Sequence, residues 1–506
     1  MTKNDPDFSD GVDVSSLSNG DIISGKVGSR DAILVRSKDK FYILDAFCSH
    51  YHAPLKDGLV IDNEILCPWH HARFNLQTGM AICAPAFDPI KGWRAEIIGD
   101  KVVARERLQQ VEKALIASDQ APKNVVIIGA GAAGFAAAFT LREEGYEGEI
   151  LMIFNDSSPP YDRPNLSKDY LSGNAPLDWL PLRPEEWYHE HKINLKSNTF
   201  VEKIDTEAKK LTLQDGSIIS FDKLLIATGA DPVKLIIPGT GIEHIHYLRT
   251  IKDCDSIISS ANNVKCAVVI GASFIGLEVA AALRKRGLEV RVVAPETIPM
   301  AKILGPEIGL FVKKLHEDNG VIFHLEDVAT EMADNKLILK SGRVLQAELL
   351  VIGVGVKPNL KLAEDAGLSI DKGVLVNSFL QTSVPDIYAA GDIARWPDKI
   401  TGQDIRVEHW VVAERQGQVA ARNMLGKKQN FDVAPFFWSQ HYDQTISYVG
   451  HAPAWNRHEI SGDPMSGSCT VTYYYDAKKL AVATLGRDIQ NLCAEVSFEQ
   501  EIKSKS

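Results

Sequence analysis

Two kinds of hydrophobic spacing divide the chain. Up to about residue 104, short apolar stretches such as DAILVRS, KFYILDAF, EILCPW, WRAEIIG and KVVARER are separated by Gly, Asp and Pro. That pattern predicts a small all-β domain. Residues 105–122 (RERLQQVEKALIASDQAP) are charged, helical in pattern and end at Pro122, and they read as a linker. From Lys123 apolar strands alternate with Ala-rich helical stretches, the signature of an α/β layout. Two stretches repeat one another: NVVIIGAGAAGFAAAFTLREEGYEGEILMI at 124–153 and KCAVVIGASFIGLEVAAALRKRGLEVRVVA at 265–294. Each predicts a strand, a glycine-rich turn, a helix and a second strand, hence two nucleotide sites in one chain. From about Phe431 the segments PFFWSQHYDQTISYVG and TVTYYYD predict a β-rich carboxyl-terminal domain. The uncharged run 125–141 approaches the length of a membrane span, but its glycine spacing and its neighbours argue for a strand, a turn and a helix.

Composition narrows the class. A chain of 506 residues exceeds one hydrophobic core, so several domains are expected. A net charge of −11 argues against nucleic-acid or anionic-membrane partners. Seven cysteines with no CxxC or CxxxxC spacing make neither a disulfide scaffold nor a dithiol redox centre. The amino terminus is polar and acidic, unlike a signal or transit peptide. A reducing, cytoplasmic setting is expected.

Gly129, Gly131 and Gly134 form G-x-G-x-x-G directly after the strand NVVII. Glycine permits the tight turn and lets backbone N–H groups approach a pyrophosphate, whose charge the helix N-terminus favours. Asp156, just after the second strand, is placed to accept from a ribose. Three later stretches are PPYDRPNLSKDYL (159–171), FDKLLIATGADP (221–232) and DIYAAGDIARW (386–396). Together they resemble flavoprotein pyridine-nucleotide oxidoreductases of the ferredoxin-reductase and apoptosis-inducing-factor type. The resemblance implies FAD, contacted by Arg163, Lys168, Gly391 and Asp392, with Lys168 near the flavin ring. VEHW (407–410) is similar to the segment that family sets beside the isoalloxazine, which implies Trp410 there. Glutathione-reductase relatives carry a CxxxxC pair beside the flavin; this chain does not, so electrons must leave the flavin by another route.

The second turn is G-A-S-F-I-G, with Gly271, Ser273 and Gly276. Serine replaces the middle glycine, a small residue compatible with close approach. The resemblance implies a place near the nicotinamide for Glu278; the helix dipole alone would also favour an acid there. Ala294 ends the second strand, where NAD-selective relatives carry Glu, and Glu296 two residues later can take the ribose contact. No Arg cluster follows to hold a 2′-phosphate, which favours NADH over NADPH. LLVIGVGVKPN (349–359) also resembles the family's glycine turn beside the NAD domain.

Near the front, Cys48-Ser49-His50 and Cys67-Pro68-Trp69-His70 make C-x-H and C-x-x-H. Two thiolates and two imidazoles can hold a [2Fe–2S] cluster of Rieske type, with cysteines on one iron and histidines on the other. The same four could hold a tetrahedral zinc, though zinc sites tend to pair like ligands. CPWHHARF (67–74) resembles the second Rieske box. The resemblance places Ala53 and Trp69 where high-potential Rieske proteins carry disulfide cysteines, and Ala72 and Phe74 where they carry hydroxyls donating to sulfur. With fewer donors the oxidised state is favoured, so a low potential is expected. His52 and His71 read as loop residues, not ligands, that could modulate the cluster through their charge. The other five cysteines read as small buried hydrophobes.

The expected architecture is multidomain. It runs as a Rieske domain at 8–108, a linker at 109–122, a Rossmann-like FAD domain at 123–243 and 365–430, an NAD(P) domain at 244–364, and an α+β domain at 431–506. NADH delivers two electrons and a cluster accepts one at a time, so the parts read as one path from NAD(P)H through FAD to [2Fe–2S] and an acceptor, possibly a protein. Fusing the cluster replaces a diffusing carrier by a high local concentration, with the linker setting reach. Apoptosis-inducing-factor relatives keep a second reading open, a redox sensor of slow turnover. An oxygenase is excluded for want of a domain with a 2-His-1-carboxylate site. The acceptor is not specified, and a homodimer is admissible.

Overall fold

A computed structural model of the chain describes residues 5–109, 121–239 and 245–505. They fall into two compact units. One holds the amino-terminal β domain together with the carboxyl-terminal helix Asp488–Ser504; the other holds both nucleotide halves and the sheet preceding that helix.

In the first unit six antiparallel strands pair in the order Val12–Asp13, Lys101–Arg107, Gly92–Ile98, Lys40–Asp45, Arg30–Ser37, Ile22–Val27. Strand Arg30–Ser37 shows why its apolar run is continuous. Ala32 and Leu34 face a core with Phe8 and Trp93, while Ile33 and Val35 face a second core containing Cys48, Cys67 and Phe74. Four short antiparallel strands, Leu59–Ile61, Glu64–Leu66, Arg73–Asn75 and Ala81–Cys83, form the meander that carries the second Cys/His loop. Residues 105–107, which the sequence offers both to the strand stretch KVVARER and to the helical linker pattern, complete the strand Lys101–Arg107, where Arg105 pairs with Glu96 on the neighbouring strand. Residues 110–120 of that pattern lie outside the described residues.

The repeated sequence units become repeated structure. In one half a parallel sheet runs Ile193–Lys196, Glu149–Ile153, Asn124–Ile128, Lys223–Ile226, Ile387–Ala389. In the other it runs Val321–Leu325, Glu289–Ala294, Cys266–Ile270, Leu349–Ile352, Ile245–His246. Each has its glycine turn after the central strand, the position where a doubly wound sheet opens a crevice. Strand Cys266–Ile270 is buried at every position, as parallel strands covered on both faces are. The uncharged run 125–141 resolves into strand Asn124–Ile128 and helix Ala132–Glu143, the helix buried from Ala132 through Leu141. A helix apolar all round is a core helix, and among the described residues none is long and apolar enough to cross a membrane. The carboxyl-terminal region supplies five antiparallel strands in the order Phe436–His441, Gln444–Gly450, Lys478–Leu485, Ser468–Tyr475, Arg457–Asp463.

Two glycine contacts fix the turns. A Cβ on Gly134 would sit 2.0 Å from Gly129 O, and one on Gly276 would sit 2.3 Å from Gly271 O. The helix therefore starts in contact with the turn that precedes it, and no larger residue fits. Gly134→Ala is expected to cost about 1–3 kcal/mol through overpacking, read from the first unfolding transition in urea. Ile236→Ala, at a site 96% exposed, should stay within about 0.5 kcal/mol. Equal effects of the two would show that the close approach carries no strain.

Candidate functional site

In the first unit two loops close in the same way. Cys48 N–H donates to Ala53 O (2.9 Å) and His52 N–H to Cys48 O (3.1 Å). Cys67 N–H donates to Ala72 O (2.8 Å) and His71 N–H to Cys67 O (3.2 Å). The residue four after each cysteine, His52 or His71, takes a left-handed backbone, φ 59° and 61°. Each loop thus presents its cysteine and its expected ligand histidine, His50 or His70, from one tight turn. The His50 and His70 rings meet edge-on at 5.1 Å, and Tyr51 stacks on His50 at 4.1 Å.

The chemistry of these four suits a cluster. Both cysteines are buried. The Cys67 thiol donates to Cys48, which draws Cys48 below the ordinary thiol range and drives Cys67 well above it. The two sulfurs share a proton that a metal would displace. His50 N–H points at Cys48 Sγ (3.5 Å), and the Trp69 and His70 amides favour the Cys67 thiolate. Burial pushes His50 down to about 3, so its ring is neutral, and its buried Nδ1 has no hydrogen-bond partner. A neutral imidazole with an unclaimed nitrogen beside paired thiols fits a cluster ligand. Among the described residues no three His, Cys, Asp or Glu side chains close on a single ion; ligands shared between two irons need not do so. Ala53, Ala72 and Phe74 lie in the apolar core behind the loops, while Trp69 stands 44% exposed.

His71 was expected in the loop, and its surroundings were not legible. Its ring is fully buried, and Nδ1 lies 2.9 Å from Glu495 Oε2 on the carboxyl-terminal helix.

In the second unit the first glycine turn is built as a cradle. A Cβ on Gly131 would meet the Arg163 guanidinium at 3.4 Å, and Arg163 Nε is buried without a partner. An unsatisfied guanidinium N–H over a glycine turn fits a phosphate-bearing cofactor such as FAD. Asp156 accepts from Tyr161 (2.8 Å) and from the Ser158 amide (3.2 Å). Gly391 N–H donates to Gln416 Oε1 (2.8 Å), and Asp392 pairs with Arg249 at 3.0 Å. Trp410 opens the helix Trp410–Met424. At the second turn Ser273, standing for the middle glycine, donates to Gly353 O (3.1 Å). Glu296 is exposed.

Lys168 and Glu278, 110 residues apart, meet in a mostly buried pair at 2.7 Å. Ser167 Oγ donates to Glu278 Oε2 (2.5 Å) and Ser439 Oγ to Oε1 (2.6 Å). Ser439 has spent its proton, so it accepts from His441 Nε2 (3.1 Å); His441 Nδ1 then accepts from His316 Nε2 (3.2 Å). Burial pushes His441 down to about 3 and His316 well below its ordinary value, so both are neutral, as that chain requires. A cavity of about 10 Å³, room for one water, adjoins Lys168, Glu278, Lys285 and Tyr442.

Sequence reasoning missed Ser439, His441, His316 and Arg249. It also missed two buried acids. Burial raises Asp162 to about 7, against the pull of Lys168, and holds Glu414 well above the carboxylate range, with Asp162 adding to the shift. Glu414 Oε2 has no partner. Nothing in a single sequence pairs residues so far apart.

Comparison with known proteins gives three family matches: a Pyridine nucleotide-disulphide oxidoreductase model over 123–417, a Rieske [2Fe-2S] domain over 10–94, and a Reductase C-terminal domain over 436–503. The Rieske match decides between the cluster and zinc. Apoptosis-inducing factor 3 of Mus musculus is 33% identical, covering 96% of this chain and 82% of that protein. Rhodocoxin reductase of Rhodococcus erythropolis is 35% identical, covering 75% of this chain and 90% of that protein. Among solved structures, the covalent putidaredoxin reductase–putidaredoxin complex matches with TM-score 0.71 and 31% identity, over 75% of this chain and 94% of that one.

Lys168→Ala strands a buried carboxylate and is expected to cost about 3–5 kcal/mol. Adding Glu278→Gln should recover most of it. A urea-unfolding double-mutant cycle with additive losses would show that the two side chains are not coupled.

Proposed function

Because the chain belongs to the pyridine nucleotide-disulphide oxidoreductase family and carries a Rieske [2Fe-2S] domain, it is an NAD(P)H-dependent flavoprotein oxidoreductase, and we propose that specific side chains route its electrons from NADH to a protein acceptor. The observation that carries this reading is the presence, in one chain, of two glycine cradles and of a buried two-thiol, two-imidazole set. When bound, FAD exchanges a two-electron hydride for single electrons, and the cluster stores one of them.

The residues take definite parts in this reading. Gly129, Gly131 and Gly134 admit the FAD pyrophosphate to the helix N-terminus, Arg163 binds its phosphate, and Asp156 orients its ribose. Gly391, Asp392 and Trp410 complete that site, with Arg249 holding Asp392. Gly271, Ser273 and Gly276 receive NADH, with Glu296 as the ribose acceptor; Ala294 cannot serve. Lys168 and Glu278 form the catalytic pair. Glu278 fixes the ammonium of Lys168 beside the flavin site, and Ser439, His441 and His316 fix Glu278. Cys48, His50, Cys67 and His70 hold the two irons. The domains keep the sequence boundaries given above except that the helix Asp488–Ser504 groups with the amino-terminal domain, and seven cysteines without a disulfide suit a cytoplasmic setting.

The full-length protein, purified anaerobically, is expected to contain one FAD, two iron and two acid-labile sulfide per chain, and both chromophores should bleach with NADH. Cys67→Ser is expected to lose iron and sulfide, keep FAD bleaching, and lose about 10²-fold or more in cytochrome c reduction, since even partners of metal ligands carry about 10–100-fold. Zinc in place of iron and sulfide would sink this reading. Acceptor reduction untouched by the substitution would mean that electrons leave from the flavin directly.

A further inference from the structure

The carboxyl-terminal helix Asp488–Ser504 shares a compact unit with the Rieske domain although it lies at the far end of the chain. Its buried positions include Asn491, Glu495, Phe498 and Ile502, which recur every three or four residues and so make one stripe. The polar centre of that stripe meets the second Cys/His loop. His71 Nδ1 lies 2.9 Å from Glu495 Oε2, both side chains fully buried. Arg73 reaches Glu495 at 3.3 Å and Glu499 at 2.7 Å. Burial works against the charge on Arg73, but Glu495 and Glu499 outweigh it and hold the guanidinium charged.

Packing alone does not explain these charges. Burying ionised groups carries a desolvation cost that well-packed apolar residues of similar volume avoid. The charges are also specifically placed. His71 follows the ligand His70 and sits at the left-handed position that closes the Cys67 loop. Whatever fixes its ring fixes the loop, and the carboxylate that does so brings a negative charge to the residue next to the ligand His70. Such outer partners of metal ligands orient them and tune the potential of the centre.

We propose that Glu495 is a positioning residue for the iron–sulfur cluster: it clamps the second ligand loop through His71, and its charge lowers the cluster's reduction potential. Arg73, on the same network, acts in the opposite sense. The inference rests on the Rieske reading of this site.

The test uses the full-length holoprotein, with the cluster potential read by EPR-monitored titration at fixed pH and salt. Glu495→Gln, nearly isosteric and neutral, is expected to shift the potential upward with iron, sulfide and the FAD potential unchanged. Arg73→Gln is expected to shift it downward. Mere loosening of the loop would move both variants the same way, so shifts of one sign, or an unmoved potential in Glu495→Gln, would overturn the proposal. If Glu495→Gln purifies without its cluster, Arg73→Gln decides alone: a downward shift supports the charge role, and no shift or an upward one refutes it. Zinc without sulfide in the unmodified protein would instead refute the underlying cluster reading.

Discussion

Both nucleotide halves hang on one contact, made twice. The last glycine of each turn lies against the carbonyl oxygen of the first, too close for a Cβ. This contact seats the helix on its strand and aims its N-terminal amides into the crevice where the turn opens. Neither half keeps the crevice without it, because a larger residue moves the helix away and with it the backbone donors. The matched strand orders of the two sheets follow from the same strand–turn–helix unit folding twice. The differences between the halves then decide what each receives. Where one has Gly131 beneath an unsatisfied Arg163, the other has Ser273 bonded back to Gly353.

What the sequence revealed and what it hid divide along a physical line. Chemistry confined to one turn was legible: the glycine spacings, the strand and helix flanking each, and the C-x-H and C-x-x-H loops all appear within a few residues of one another. Chemistry made across the chain was not. Glu278 was singled out, and Lys168 as well, but nothing joined them, since 110 residues separate the two. The serine and two histidines behind Glu278 come from the strand Phe436–His441 and the helix Ala301–Asp318, neither of which carries a motif. His71 reads from the sequence as a loop residue, and its partner Glu495 is 424 residues away. The linker pattern erred at its start for a related reason: alternating charges suit an exposed strand as well as a helix, and Arg105 takes a cross-strand partner.

The buried charges of the second unit gather where cofactor chemistry is expected. Asp162 and Lys168 share one segment, while Glu278 and Glu414 come from two helices far away in sequence. Buried ionisable groups cost stability unless paired, and Glu414 leaves one carboxyl oxygen with no partner at all. A fold selected for stability alone would place hydrophobic side chains at such positions. Concentrating the unpaired and shifted groups beside one pair, Lys168 and Glu278, is the pattern expected where environment has been arranged to set protonation. The neutral histidines fit the same logic: a chain of single donors ending on a carboxylate leaves that carboxylate little freedom to turn.

Two independent features act in the same direction at the iron–sulfur loops. Ala72 and Phe74 face the apolar core and offer no hydroxyl to cluster sulfur, and the carboxylate of Glu495 sits one residue from an expected ligand. Fewer donors to sulfur and a nearby negative charge each favour the oxidised form. The amides aimed at Cys48 and Cys67 act in the opposite sense, but they come from the loop backbone itself and are inseparable from the fold that presents the cysteines. Side chains therefore set the balance: Arg73 pulls against Glu495, while Ala72 and Phe74 withhold the hydroxyls that would favour the reduced form. On this reading the amino-terminal domain does not trap the electron that the flavin supplies: it is a poor sink, and a poor sink passes its electron on.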